Sequence, residues 1–299
     1  MTRFAVLSDA QWARIEPLMP SSVGRSGRPF QDHRRVVEGI IYRYRAGIPW
    51  RDLPDHFGSW KTVWKRHRRF SGDGTWDLVL TRLLADADAA GVIEWEVSVD
   101  STVNRAHQHA TNLPRDTGGP VSNYTKFRHE PPDHAIGRSR GGLTTKIHHL
   151  CDAKMRPLVV IVAPGQGGDA PMFPYLLTAL EVPRHGPGRP RSTPVRALGD
   201  KAYSSKAIRK LLRSRGIQAV IPEPADQIGH RKRRGSKGGR PPAFDKEIYK
   251  RRNVVERSFN TFKQWRGIAT RYDKLAITYR GGAVLRAITI WLKALGDTP

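Results

Sequence analysis

The sequence predicts an α/β protein, a mixed sheet preceded by a small all-helical, helix-turn-helix-like region. Three observations carry this. Residues 1–93 read as successive helices, with capping residues ahead of apolar positions that recur every three or four. Residues 94–299 open a second part, with strand candidates at 96–103, 143–150, 157–163, 195–200 and 219–222. Helix candidates at 170–180 and 205–215 separate the later strands, which is the element order of a mixed sheet.

The elements follow in order. Ser8 and Gln11 form a capping box, and Leu7 and Trp12 stand where its hydrophobic staple belongs. That helix ends at Pro20, and Ser21–Pro29 reads as a linker. Asp32 caps a second helix carrying Val36, Ile40 and Tyr44 on one face. Trp50–Phe57, Gly58 and Trp60–Phe70 read as helix, turn, helix. In the last of these, Trp60, Val63, Trp64, His67 and Phe70 share a face, and Lys61, Lys65, Arg68 and Arg69 form a cationic stripe. Trp76–Ala90 closes this part at Gly91.

In the second part Leu158–Ala163 (LVVIVA) is a continuous apolar run and reads as a strand buried on both faces. Two stretches, about 104–142 and 225–243, are poor in apolar residues and rich in Gly, Pro and basic residues, and are expected to be mobile basic loops. Asp169, in GGDAP, reads as a helix N-cap. Tyr249–Lys263 has helical periodicity, with Ile248, Val255, Phe259 and Phe262 as its apolar stripe. Tyr279–Leu295 is a final amphipathic helix.

Charge narrows the function. The chain has 299 residues with 52 Lys+Arg against 27 Asp+Glu, a net charge of +25. Such an excess calls for a polyanionic partner, and double-stranded DNA leads. The stripe Lys61, Lys65, Arg68 and Arg69 suits a helix entering a major groove, and equally suits a solvated basic face. There is no signal-peptide pattern and no apolar run of membrane-spanning length, so a cytoplasmic location is expected and no membrane partner. One cysteine excludes an internal disulfide.

Three acids stand out. Alternation along Glu96–Val103 sets Ser98, Asp100 and Thr102 opposite Val97, Val99 and Val103. Asp200 ends Val195–Asp200, at the carboxyl end of a strand, where open α/β sheets bind ligands. On the later helix Glu256 shares a face with Tyr249, Arg252 and Lys263. Each has an ordinary explanation: an exposed strand residue for Asp100, a helix cap for Asp200, an i,i+4 ion pair with Arg252 for Glu256. Together they make a divalent-metal site of hard oxygen donors.

These motifs, VDST around Asp100, GDKAY around Asp200 and Tyr-x2-Arg-x3-Glu-x6-Lys from Tyr249 to Lys263, carry a resemblance. With Asn253–Lys274 (NVVERSFNTFKQWRGIATRYDK), the chain resembles the DDE transposases of bacterial insertion sequences, in the group typified by insertion sequence five. The likeness runs from Leu7 to the final helix. It implies a ribonuclease-H-like sheet with Asp100 and Asp200 on neighbouring strands and Glu256 brought in by the later helix. It implies that Asp100, Asp200 and Glu256 are catalytic and hold two Mg²⁺ ions, with Mn²⁺ able to substitute. Tyr249, Arg252 and Lys263 are then expected against DNA next to the cut. The partners implied are transposon ends and target DNA, with a homodimer or higher assembly to bring two ends together. A relative that only occupies DNA, and a nuclease without strand transfer, remain the contrasting readings.

Overall fold

The computed structural model describes residues 6–21, 30, 32–114 and 129–296. The chain begins with helices α1 (Asp9–Ile15), α2 (His33–Ala46), α3 (Trp60–Gly72) and α4 (Thr75–Ala89). Ser8 and Gln11 form the capping box, and Leu7 and Trp12 are buried beside it. Asp32 accepts the backbone N–H groups of Arg34 and Arg35, as an N-cap does. Most of the expected linker at 21–29 lies outside the described residues.

The helix expected over Trp50–Phe57 is instead two single 3-10 turns, Trp50–Asp52 and Asp55–Phe57. Pro54 between them has no N–H to continue a helix. The pair α2 and α3 is therefore joined by tight turns rather than set up as a regular helix-turn-helix. Within α3, Val63, His67 and Phe70 are buried while Trp60 and Trp64 are half-exposed, so the core face is narrower than its periodicity implies.

The sheet contains β1 (Glu96–Ala106), β2 (Gly137–Ser139), β3 (Gly142–Asp152), β4 (Pro157–Pro164), β5 (Arg196–Leu198), β6 (Gln218–Val220) and β7 (Thr270–Arg271). β1, β3 and β4 run as an antiparallel meander, and β5 and β6 extend it parallel to β1. The lateral order is thus β4-β3-β1-β5-β6, with β2 sharing β3's outer edge and β7 pairing with the far end of β1. This is the mixed sheet of the ribonuclease-H-like fold. All of β4 is buried, as its unbroken apolar run requires.

Helices α5 (Phe173–Ala179), α6 (Lys206–Ser214), α7 (Ala225–Arg233), α8 (Lys246–Lys250), α9 (Asn253–Lys263), α10 (Arg266–Ala269) and α11 (Ala276–Gly296) complete the chain. Two expectations change here. The basic stretch 225–243 contains α7 and a 3-10 turn, because Ser204 and Glu223 provide partners for Gln227 and Arg231. The stretch 104–142 is partly β1 and β2; residues 115–128 lie outside the described ones.

One apolar core runs from Leu7 to Leu295 and joins the helices to the sheet. The last helix is its hinge-pin: α11 packs against α2, α3 and α4 as well as β4. Gly282 makes this possible, since a Cβ there would stand 2.3 Å from the Tyr44 ring. The buried carboxylate of Asp273 accepts from Arg43 Nη1 at 2.9 Å and from the Tyr44 hydroxyl at 3.1 Å. His67 lies 3.0 Å from that same hydroxyl.

Three histidines are wholly buried, His67, His148 and His149. Burial lowers His67 and His148 to about 4 and His149 to about 3. In the unfolded chain each binds a proton near pH 6.5, about the ordinary histidine value. Between roughly pH 6.5 and 4 the unfolded state holds more protons, so stability should fall as pH falls through that window. His149→Leu should flatten the dependence by about one proton, read from urea midpoints across this pH range.

Candidate active site

β1 and β5 pair through Glu96–Arg196, Val97–Ala197 and Ser98–Leu198. Continued two residues, this register sets Asp100 beside Asp200, just past the last paired residues. Gly199 keeps the strands close: a Cβ on it would lie 3.2 Å from Val99 and from the Tyr203 ring. Burial raises the Asp100 pKa above the ordinary aspartate value, and the Asp200 charge adds to it.

Glu256 arrives from the other end of the chain. Asp100 pairs across the sheet with His149, so the two side chains share a face. On that face His149 stacks against Phe259 of α9, ring centres 3.9 Å apart, with Phe262 edge-on. Val255, Phe259 and Phe262 are buried there, as the apolar stripe predicts, and Ser258 donates to the Met155 carbonyl at 2.8 Å. The helix is thereby clamped with its first turn over Asp100.

Arg252 closes the arrangement. Its guanidinium donates through Nη1 to Asp100 Oδ2 at 2.8 Å and through Nη2 to Glu256 Oε1 at 2.7 Å. Burial works against the guanidinium's charge, but Asp100 and Glu256 outweigh it and raise its pKa. Two of the ordinary explanations are also realised: Asp200 Oδ1 accepts the Ala202 N–H at 2.9 Å, and Arg252–Glu256 is an i,i+4 pair. Asp100 is different, because its side chain is only 22% exposed.

The remaining predicted residues divide. Lys263 donates to the Val103 carbonyl at 3.3 Å, along the open edge of β1. Tyr249 is on α8, not on the helix of Glu256: the single helix expected over Tyr249–Lys263 breaks at Arg251 and Arg252. Its ring packs against Phe244 instead, 5.2 Å between centres, and Ile248 is only half-buried. Lys61, Lys65, Arg68 and Arg69 are all exposed on α3 and are not gathered with the acids.

Sequence reasoning missed one neighbour. Asp169 caps no helix with its side chain; its Oδ1 accepts from Ser101 Oγ at 2.6 Å and Lys146 Nζ at 2.9 Å. Burial alone would raise its pKa, but those two bonds hold it below the ordinary value. Only the alternation of β1, which sets Ser101 on the face away from Asp100, hinted that a partner was needed there.

The donor set is carboxylate oxygen, which suits a hard divalent cation. Among the described residues no three acidic, histidine or cysteine side chains are close enough to hold an ion as they stand. The Arg252 guanidinium is the positive charge between Asp100 and Glu256, and it marks where a cation is stabilised.

The mixed sheet, with Asp100 on β1 and Asp200 just past the parallel strand β5, is that of the ribonuclease-H-like class. Comparison makes the assignment specific. The family model described as "Transposase DDE domain" matches residues 94–289, and one described as "Putative transposase of IS4/5 family" matches residues 7–80. The chain belongs to the DDE transposase family of the IS4/5 type. A Brucella ovis protein described as "Putative transposase for insertion sequence element IS6501" is 30% identical over half of this chain and all of its own length. The uncharacterized protein y4sN of Sinorhizobium fredii is 35% identical over 38% of this chain and 86% of its own. A chain of the solved pre-cleavage Mos1 transpososome aligns at 13% identity, over 91% of this chain and 81% of that one, with a TM-score of 0.27. The chain is a DNA transposase, an enzyme that cleaves and transfers DNA strands, and the family it belongs to generally uses divalent metal ions. No helix among the described residues is long and apolar enough to cross a membrane.

Removing the cation beside Asp100 should raise its pKa further, because the carboxylate loses its main charge partner. Arg252→Ala should therefore move the Asp100 titration upward in carbon-13 carboxyl NMR of the metal-free protein, while an unmoved titration would mean the pair does not form in solution.

Proposed function

We propose that Asp100, Asp200 and Glu256 are the catalytic acids, and that they hold two Mg²⁺ ions, with Mn²⁺ able to replace them. The observation that carries this reading is the β1–β5 register, which sets Asp100 beside Asp200 while Arg252 ties Asp100 to Glu256. Bound ions would neutralise the converging carboxylates and the charge that develops on the attacking and leaving oxygens. Asp100, Asp200 and Glu256 would hold the ions, with Asp100 tied to Glu256 through Arg252 until they bind.

The chain's own residues do the rest. With divalent ions held by the acids, the scissile phosphate would be neutralised and oriented for a water oxygen to bond to phosphorus as the strand's 3′ oxygen departs with the water's proton. The freed 3′-hydroxyl then attacks a target phosphodiester in line, and the displaced 3′ oxygen leaves in turn. Two direct displacements need no covalent protein–DNA intermediate. Arg252, once released from the acids, and Lys263 bind phosphates beside the cut, and Tyr249 contacts the adjoining DNA.

Residues 1–93 bind the terminal inverted repeats of the element, with Lys61, Lys65, Arg68 and Arg69 of α3 directed at the duplex. Residues 94–299 cut and join. The separate family matches, to 7–80 and 94–289, support this division of labour within one continuous core. Two ends are handled together, so the active assembly is a homodimer or larger, and it works in the bacterial cytoplasm at the nucleoid.

Asp100→Asn, Asp200→Asn and Glu256→Gln should each lower cutting of labelled element ends by about a thousand-fold, the scale of losing several kcal/mol of charge stabilisation. End binding should stay within a few-fold. Cutting that persists in these variants would remove the catalytic assignment; wild-type binding without cutting would leave a DNA-occupying relative, and cutting without joining a nuclease.

Lys65→Ala and Arg68→Ala should each weaken end binding and reduce the slope of affinity against salt by about one, the release of one phosphate counterion. Gel-shift titrations at several salt concentrations would reveal an unchanged slope if these cations face only solvent.

A further inference from the structure

We infer that Asp169, held by Lys146, is a positioning residue that fixes Asp100 through Ser101; this rests on Asp100 being a metal-holding acid.

The need for such support comes from the sheet. One edge of β1 pairs with β3 along nearly its whole length. The other edge pairs with β5 only through Ser98 and with β7 only from Arg105. Among the described residues no strand lies against the interval between, which is where Asp100 stands. An open edge gives DNA a path to the carboxylate, but it leaves the backbone there without half of its usual ladder.

The open-edge N–H of Ser101 is used by Asp100 itself: Ser101 N donates to Asp100 Oδ1 at 2.8 Å. The orientation of one carboxylate oxygen therefore follows the orientation of the Ser101 peptide. On the opposite face of the sheet the Ser101 hydroxyl donates to Asp169 Oδ1 at 2.6 Å. Lys146 Nζ donates to the same oxygen at 2.9 Å and to the Gly167 carbonyl at 2.8 Å, which anchors the loop carrying Asp169. That loop is seated on the sheet by Gly165, whose N–H donates to the Thr144 carbonyl at 3.1 Å and whose Cα has no room for a Cβ beside the Thr144 hydroxyl.

Asp169 is suited to the task by its charge. An ionised carboxylate only accepts, so both the serine hydroxyl and the ammonium must donate to it. Their directions are then set, and charge assistance makes both bonds short. Residues that orient a ligand in this way typically change metal affinity by about ten- to a hundred-fold when lost.

The test is Mn²⁺ titration of the full chain bound to a duplex of the element's end, by calorimetry, beside thermal melts of the same proteins without metal. Asp169→Asn and Ser101→Ala should each weaken Mn²⁺ binding by about ten-fold, and the double variant by no more than either alone, because both break one chain. Ser101→Thr, which keeps the hydroxyl, should bind as the parent does. Unchanged Mn²⁺ affinity with a lowered melting temperature would make the cluster purely structural and overturn the inference, as would additive losses. Ser101→Ala, a one-atom deletion, decides the matter if Asp169→Asn does not fold. Asp100→Asn separates the two levels: it should abolish Mn²⁺ binding, and if it does not, the metal-site reading falls and this inference with it.

Discussion

Three residue pairs between β1 and β5 carry the architecture of the site. Glu96–Ser98 lie against Arg196–Leu198 in parallel, and both strands then lead straight into an aspartate. Because that pairing ends at Ser98 and Leu198, both aspartates lie just past the last β1–β5 pair. The close packing at Gly199 allows no looser pairing, since Val99 and Tyr203 press on it from two sides. Everything else in the site is placed relative to that junction.

The third acid depends on packing rather than pairing. α9 is held by an aromatic contact with a buried, neutral histidine and by its own apolar stripe, so Glu256 is delivered by the far side of a helix whose near side is core. Gathered carboxylates repel. In the protein alone Arg252 offsets that repulsion by donating to two of them at once. The same guanidinium, with Lys263 a short way along the β1 edge, gives the site a cationic rim.

The helical part is not a loosely tethered module. Asp273 near the start of α11 joins Arg43 and Tyr44 of α2, and Tyr44 in turn meets His67 of α3. Such a network has to form with all its members or strand a buried charge. The exposed cations of α3 are therefore mounted on the same continuous core as the acids.

Much of this was legible in the sequence, and the limits are instructive. The capping box at Ser8, the cap at Asp32, the buried run of β4 and the apolar stripe of α9 are written in local periodicity and hydrogen-bonding chemistry, which need no knowledge of the rest of the chain. The motifs around Asp100, Asp200 and Glu256 were legible too, and the parallel register of β1 and β5 sets the first two side by side. The break between Tyr249 and Arg252 was not, because a turn costs periodicity nothing over so short a span. Nor was the helix at Ala225–Arg233, whose partners Ser204 and Glu223 come from other segments.

The sequence by itself determined which residues could bury a face, cap a helix or carry charge, because those properties belong to side chains and their near neighbours. Tertiary structure alone decided that Asp169 bonds Ser101 instead of capping a helix and that Arg252 lies between Asp100 and Glu256. It also decided that α11 returns to lock the first helices. Each of those depends on contacts between segments far apart in the chain, and only the folded sheet brings them within hydrogen-bonding reach.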